Sequence, residues 1–330
     1  MTASFLRWAA LPAALMLALT ACREEEPSGE ATPSSSLIAP RDAAAAASAP
    51  ANADALPEDE SFDTATVGLP DAVLEVATPT DAAVLDAIYG SAQATSASSA
   101  DSGRVLPDGR IAAFWRGQVF ALDGAGWYVG LATSASPSES PAPGDTVELG
   151  QATWRFADGA WQPVSTSSYI GRFGGAGRAP PPDGAQDVRV HAGEGRVLLA
   201  VPTETAANAG IVVYAYELFL AEGEPLAWRH AGRLPAGSDN RAGCSDVADS
   251  PMPCASAAGT LEFVTADAAS GAVASAGSSD WPTLRLALQG TVVIGPGQVR
   301  GTTPEDVVEL RFDAESGQYQ PARPIPEAAL

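Results

Sequence analysis

The feature of this sequence that most constrains its fold is a series of short apolar segments between residue 111 and the end of the chain. The segments are rich in Val, Leu, Tyr and Phe, and clusters of Gly, Pro and Asp separate them. Runs of about 4–8 residues with this composition, divided by turn-forming residues, are typical of strands in all-β proteins. Examples are GRVLLAVP, GIVVYAYELFLAE, LAWRHAGRL and LRLALQGTVVI. The sequence therefore predicts a mainly β, antiparallel domain.

Three segments share a hairpin-like pattern. Trp154–Pro163 resembles Leu310–Pro321, because both contain Arg-Phe, a turn with acidic residues or glycine, an aromatic residue and Gln-Pro. Val119–Val129 is a looser third copy. Each pattern predicts a β-hairpin with an aromatic contact between its strands. Three uneven matches without a fixed period do not establish a repeat array. A β-sandwich and a propeller-like meander are therefore both compatible with the sequence.

One short helix is expected before the strands, within Pro79–Gly90. Thr80 is a suitable N-cap, Val84, Leu85 and Ile88 have helical spacing, and Gly90 can end the helix. A polar, Ser/Ala-rich link follows at residues 91–102. The strands begin after this link, and the β-rich domain is expected to span residues 66–330, as one unit or as two halves.

The N-terminus has the organisation of an export signal. Arg7 is the only charged residue before an apolar stretch, Trp8–Leu19, that only Pro12 interrupts. This stretch is shorter than the roughly 20 apolar residues that cross a membrane, but it has the length of a signal-peptide core. Residues 1–21 are therefore predicted to be a signal peptide.

The end of this signal, Leu19-Thr20-Ala21-Cys22, resembles the lipobox of bacterial lipoproteins. The resemblance implies lipidation of the Cys22 thiol, cleavage before Cys22 and acylation of the new amine. Several acyl chains anchor a protein stably without a spanning helix. In enterobacterial lipoproteins an Asp after the cysteine retains the protein at the inner membrane, and Arg23 here favours the outer membrane, facing the periplasm. The alternative is an ordinary secretory signal with an incidental cysteine.

Residues 22–65 are dominated by Ala, Ser, Pro and Glu. Few large apolar residues interrupt this composition, so the segment cannot bury enough surface to offset its ordering entropy. It is therefore predicted to be a disordered tether between the lipidated cysteine and the folded domain.

The charge composition excludes several functions. The chain has 40 acidic and 18 basic residues, a net charge of −22, and every basic residue is arginine. Without lysine there can be no Schiff-base lysine, P-loop lysine or Ser-Lys dyad. Nucleic-acid binding is not expected, because phosphate contacts require clustered cations. No motif for a cofactor is present, and none is predicted.

Three cysteines fit an exported protein. With Cys22 assigned to lipid, Cys244 and Cys254 remain as a pair that flanks a polar, proline-containing segment. In an oxidising compartment such a pair is expected to form a disulfide that closes a surface loop. A zinc site is the alternative, but two cysteines without nearby histidines do not complete a tetrahedral site. No metal site is predicted there.

The loop Tyr169–Pro182 is the most unusual segment. Its glycines can present backbone amides to an anion, and its arginines can present guanidinium groups. It lacks the spacing of a nucleotide-binding motif, and a flexible surface loop is the alternative. The candidate anion-binding residues are Arg172, Gly174, Gly175, Gly177 and Arg178.

Other candidate sites have structural alternatives. Strand alternation places His191 toward solvent and His230 on an apolar face, and no Gly-x-Ser-x-Gly motif supplies a nucleophile for either histidine. The oxygen-bearing residues Asp239, Asn240 and Asp246 suit Ca²⁺, although their spacing matches no known calcium loop. Five tryptophans could stack on sugars, but aromatic residues in hairpins more often pack in the core. They are Trp115, Trp127, Trp154, Trp161 and Trp228.

Three functions are compatible with these observations. The first is a non-catalytic binding module, tethered to the membrane, that contacts another envelope protein or the cell wall. The second is a periplasmic enzyme that hydrolyses glycans or esters with an Asp/Glu pair. The third is a module that binds a small anion or ion through the arginine- and glycine-containing loop. The scarcity of catalytic residue types favours the first.

Overall fold

In a computed structural model of the chain, the described residues all belong to one unit, Glu60–Leu330. The signal peptide, Cys22, the tether and Asp246 lie outside these residues, so the predictions for them stay predictions. The described ranges are 69–91, 103–137, 140–184, 186–206, 210–245, 252–265 and 281–322.

The expected helix is present as α2, Asp81–Tyr89. Thr80 caps its N-terminus by accepting a hydrogen bond from the Ala83 amide at 3.2 Å. Gly90, with φ of 79°, ends it. A further single turn, α1 (Asp71–Leu74), precedes it and is too short to show helical periodicity. No helix in the described part of the chain is long and apolar enough to cross a membrane.

The first sheet is an antiparallel meander in which each strand pairs with the next one along the chain. Its order is β1-β2-β3-β4-β5. The strands are β1 (Arg104–Val105), β2 (Ile111–Leu122), β3 (Ala125–Ala135), β4 (Val147–Ala157) and β5 (Ala160–Phe173).

The second sheet is also antiparallel and also follows the chain, with β12 paired to β11 as a side hairpin. Its order is β14-β13-β11-β10-β9-β8-β7-β6. The strands are β6 (Arg189–Gly193), β7 (Arg196–Ala206), β8 (Val212–Glu222), β9 (Ala227–Asp239), β10 (Ser256–Val264), β11 (Thr283–Gly295), β12 (Gln298–Gly301), β13 (Val307–Asp313) and β14 (Gln318–Pro321).

The two sheets share a hydrophobic core. Trp127, Val129 and Leu131 from β3 pack in one cluster with residues of the second sheet that include Leu199 and Phe219. The sheets are therefore stacked face to face, as in a sandwich, and are not arranged as the blades of a propeller. The expectation of a mainly β, antiparallel fold is confirmed, and the sandwich is the better of its two versions.

Strands β7 and β8 are buried on both faces. Leu199 faces the shared core, whereas Leu198 and Leu218 belong to a second core that also contains Leu286 and Leu310 from β11 and β13. The second sheet therefore curls around this second core. Burial on both faces explains why GRVLLAVP and VVYAYELFLAE are almost continuously apolar and do not alternate.

All three hairpin patterns form hairpins, as predicted. Phe156 and Trp161 are paired across β4 and β5, with ring centroids 5.4 Å apart. Phe312 and Tyr319 are paired across β13 and β14, with ring centroids 5.6 Å apart. In the third hairpin, Trp127 lies opposite its aromatic partner on β2, Phe120.

Candidate functional site

The candidate site is a cleft at one end of the first sheet, where its strands begin or end. In an antiparallel meander the first residues of β2 and β4 and the last residues of β3 and β5 lie at the same end of the sheet. Residues from these strand ends and from the loop before β4 enclose a cleft of about 550 Å³. We call it the arginine cleft. Its lining includes Arg110, Ser134, Asp145, Glu148, Arg172 and Arg178.

Strand register brings three of these side chains together. Ser134 is paired with Glu148 across β3 and β4, and Glu148 is paired with Arg172 across β4 and β5. Arg172 Nη2 donates a hydrogen bond to Glu148 Oε1 at 2.9 Å, and Arg110 Nη1 donates to Glu148 Oε2. The Glu148 carboxylate therefore lies between two guanidinium groups, one on each of its oxygens.

Arg110 is fixed from several sides. Its Nε donates to Asp108 Oδ2 at 2.7 Å, and its Nη1 donates to the Ser134 hydroxyl at 3.0 Å. The hydrogen bond from Arg110 holds the pKa of Asp108 below its usual range. The Arg110 side chain is 28% exposed, whereas that of Arg172 is 60% exposed and is held by Glu148. Arg110 is thus held by contacts with Asp108, Ser134 and Glu148, whereas Arg172 is more exposed and contacts Glu148.

A tyrosine from α2 lies close to this network. Burial raises the pKa of the Tyr89 hydroxyl, and this hydroxyl has no hydrogen-bond partner in the described structure. Arg110 and Glu148 also influence this pKa through their charges. The phenol is therefore neutral at physiological pH and adds no charge to the site.

The glycine-rich part of the predicted anion loop is a tight turn. Ala176 and Gly177 have φ of 50° and 67°, and the amides of Gly175 and Arg178 donate to each other's carbonyl oxygens. A side chain at Gly174 would place its Cβ 2.1 Å from the Arg178 carbonyl oxygen, so only glycine fits there.

The turn is also docked onto the loop before β4. The Ala176 amide donates to the backbone carbonyl oxygen of Pro143 at 3.1 Å, and the Gly177 amide donates to the backbone carbonyl oxygen of Asp145 at 2.8 Å. The amides of residues 175–178 are therefore all used within the protein. The part of the prediction that invoked backbone amides has no support at these four residues, and the exposed side chains of Arg172 and Arg178 remain as candidate anion-binding groups.

Arg178 completes the arginine side of the cleft. Its side chain is exposed, and it makes no ion pair with any described residue. The three arginines of the cleft and the carboxylates around them, Asp108, Asp145 and Glu148, give a local formal charge of zero, +3 against −3. The chain as a whole has a net charge of −22, so this edge of the sheet is unusually accommodating for an anion.

A second cleft, of about 640 Å³, lies at the turns that end β2, β6 and β8. Its carboxylates are those of Asp123, Glu194, Glu222 and Glu224. Asp123 Oδ2 accepts a hydrogen bond from the Gly195 amide at 3.1 Å. The Arg155 guanidinium lies over the Trp127 ring, 5.7 Å from its centroid. Four carboxylates at one cleft make this a candidate place for a catalytic Asp/Glu pair.

The His230 side chain is 10% exposed and lies on the apolar face, as the strand pattern predicted. Its Nε2 lies 3.0 Å from Glu217 Oε2, and Glu217 is fully buried between the sheets. Phe173 and Phe219 pack against the imidazole ring. Among the described residues no hydroxyl is hydrogen-bonded to His230, so a hydrolytic triad is not assembled around it.

His191 lies on the strand face opposite to the buried Val190, as expected, but it is only partly exposed to solvent. Its ring packs against Phe263 with centroids 5.8 Å apart. Burial lowers the pKa of His191. Phe263 comes from β10, and only the tertiary arrangement brings it over β6.

The cysteine pair lies as predicted. Cys244 and Cys254 are in the geometry of a disulfide, with Cα atoms 4.9 Å apart. Next to it, the Asn240 side chain donates to the Pro253 oxygen and accepts from the Ala255 amide. Asp239 is hydrogen-bonded to Arg241. These oxygens fix the loop, and the described residues contain no group of ligands that could hold a metal ion.

The tryptophans do not form an exposed platform. All five candidates belong to the hydrophobic clusters or pack against them. The indole of Trp228 donates to the Thr153 hydroxyl at 2.9 Å, and that of Trp115 donates to the Pro180 oxygen at 2.8 Å. Core packing is therefore the correct interpretation of these residues.

Sequence reasoning did not identify Arg110, Ser134, Asp145 or Glu148 as site residues. They lie up to 68 positions from Arg178 along the chain, from 110 to 178, and no local motif unites them. The available signal was topological. Once the strands are drawn as a meander, alternate strand ends must meet at one edge.

A comparison with protein-family models, curated proteins and solved structures found no match to this chain. The function of the chain is therefore inferred from its residues and their geometry.

Proposed function

We propose that this chain is a lipid-anchored protein of the bacterial cell envelope whose β-rich domain is a non-catalytic binding module. The lipobox resemblance at Leu19–Cys22 supports the anchor and a location at the outer membrane, facing the periplasm. The partner is another envelope protein or the cell wall, and no nucleic acid is involved. The arginine cleft is the binding site, and it takes an anionic group of that partner.

One observation carries the binding site. Arg172 and Arg178 present exposed guanidinium groups into a single cleft of a strongly acidic protein. Guanidinium groups bind carboxylates and phosphates through paired hydrogen bonds. Because the remaining surface repels anions, an anionic group is directed to this edge.

Photo-cross-linking in living cells tests the site. A photoreactive residue at position 178 of the full-length protein should capture one recurrent envelope component. The same residue at the exposed Arg311, on β13 of the other sheet, is the matched control and should not capture it. Equal capture at both positions, or none at 178, would count against the cleft as the binding site.

The anchor has its own test. Cys22→Ala should abolish incorporation of labelled palmitate and release the protein from the membrane fraction. Retention of the label in this variant would refute lipidation at Cys22.

The second cleft keeps a hydrolase as the other candidate. Four carboxylates line it. General acid–base hydrolysis requires that two of them face each other about 5–10 Å apart. Hydrolysis of a chromogenic glycoside or ester that is lost in Glu222→Gln would favour this candidate.

A further inference from the structure

We propose that the group bound by the arginine cleft is a carboxylate, and that Glu148 occupies its place in the free protein as an internal competitor. This inference rests on the proposed function, because it concerns the same site. It adds the chemical class of the ligand and a mechanism that limits its affinity.

The contacts of Glu148 indicate which ligand fits between the arginines. Two guanidinium groups already hold one planar carboxylate, because Arg172 donates to Glu148 Oε1 at 2.9 Å and Arg110 donates to Oε2. A position that satisfies both oxygens of Glu148 would satisfy both oxygens of any other carboxylate. The site therefore displays its ligand chemistry in its own side chain.

Arg110 and Glu148 differ in what holds them. Asp108 and Ser134 hold Arg110 independently of Glu148, so Arg110 keeps its position if Glu148 leaves. The Glu148 side chain is 27% exposed, and its second arginine partner, Arg172, is 60% exposed. Ion pairs with this much access to solvent contribute little net stability. A ligand carboxylate can therefore displace Glu148.

The charge of the cleft also favours a carboxylate. The local formal charge is zero when the three arginines are counted with Asp108, Asp145 and Glu148. A ligand carboxylate that takes the place of Glu148 between Arg110 and Arg172 brings one negative charge between the two guanidinium groups, and any second carboxylate of the same molecule lies outside this position. A phosphate dianion would place two negative charges there, in a protein with a net charge of −22. The cleft is thus better matched to carboxylates than to phosphate.

The inference is tested by isothermal titration calorimetry on the purified full-length protein. The probes are glutarate and inorganic phosphate, titrated into the wild type and into Glu148→Gln. Removing the competing carboxylate should tighten glutarate binding about five- to tenfold. Phosphate should bind more weakly than glutarate to both proteins.

Asp145→Asn is the matched control. Asp145 lines the same cleft and has the same charge as Glu148. Its carboxylate accepts a hydrogen bond from the Ala142 amide and has no described contact with Arg110 or Arg172. This variant should change glutarate affinity less than twofold. A similar gain in both variants would show a general effect of charge and would overturn the role of Glu148 as a competitor.

The failures can be distinguished. If the wild type binds glutarate and Glu148→Gln binds it no more tightly, the competitor is refuted and the binding cleft stands. If phosphate binds more tightly than glutarate, the carboxylate assignment is refuted and an anion site stands. If no variant binds either probe, or if Arg172→Ala and Arg178→Ala leave binding unchanged, the proposed cleft fails as well. Thermal unfolding of each variant confirms that it is folded.

A final arm identifies the source of the carboxylate. Tetraglutamate is titrated beside glutarate. Tighter binding of the peptide supports an acidic segment of a protein, whereas equal or weaker binding supports a free small acid. Either result supports a carboxylate ligand.

Discussion

At the residue scale, one carboxylate holds the loop between β12 and β13. Asp306 is 7% exposed, and its two oxygens accept hydrogen bonds from Arg300 Nη1 and Nη2 at 2.6 Å each. Asp306 Oδ2 also accepts from the Thr303 amide at 2.7 Å. These contacts hold the pKa of Asp306 well below its usual range, with the Arg300 hydrogen bonds as the largest cause.

Asp306→Asn should lower the free energy of unfolding by about 1–3 kcal/mol at neutral pH, because charge-assisted hydrogen bonds are lost. A folded-state pKa below that of the unfolded state stabilises the protein above about pH 4. This contribution is lost as the pH falls further toward the folded-state pKa. The difference between wild type and variant should therefore shrink below about pH 4. Urea unfolding at several pH values measures it.

Asp313→Asn is the control for this prediction. The Asp313 carboxylate accepts from the Glu315 amide and the Ser316 hydroxyl but forms no ion pair in the described structure. Its loss should cost less than that of Asp306. If both variants lose the same stability across the pH range, the bidentate arginine contact is not the cause.

At the element scale, glycines let α2 approach the first sheet. A Cβ added at Gly130 would lie 2.4 Å from Val84 Cγ2, and one at Gly150 would lie 2.9 Å from Ile88 Cγ2. The helix was predictable to within a residue or two because its cap, its apolar spacing and its terminal glycine are all local. Its docking surface was not, because glycines in a strand carry no sign of what approaches them.

Gly130→Ala should destabilise the protein by about 1–3 kcal/mol, because the added methyl group overpacks the contact with Val84. With Val84→Ala made alone and in combination, the double variant should lose less stability than the sum of the two single variants, and the difference measures the coupling between the two positions. Gly193→Ala is the control, since a Cβ there meets nothing within 4 Å. Chemical denaturation of the wild type and these four variants provides the comparison.

The outcome that contradicts this prediction is equal stability of Gly130→Ala and Gly193→Ala. The contact between helix and sheet would then be loose enough to absorb a methyl group.

At the scale of the whole molecule, the stacking and curling of the sheets determine which structural features the sequence alone predicts. The strand content and the hairpins follow from short-range patterns, and these predictions are confirmed. The arginine cleft and the burial of Glu217 depend on which strands become neighbours. Glu217 interrupts an apolar run, and such a residue would normally be placed on an exposed face. It is buried because β8 is covered on both sides.

The contact between Glu217 on β8 and His230 on β9 should therefore contribute strongly to the stability of the second sheet where it faces the shared core. Glu217 is fully buried, lies 3.0 Å from His230 and has Arg233 at 3.7 Å. Removing one partner of a buried pair costs about 3–5 kcal/mol, because the other is left uncompensated. Replacing both with apolar residues is often neutral or stabilising. Glu217→Ala should thus lower the free energy of unfolding strongly, whereas Glu217→Leu with His230→Phe should restore most of it. Urea unfolding distinguishes the variants. A double variant as unstable as Glu217→Ala would mean that the shape of these side chains, and not their charge, determines the stability at this position.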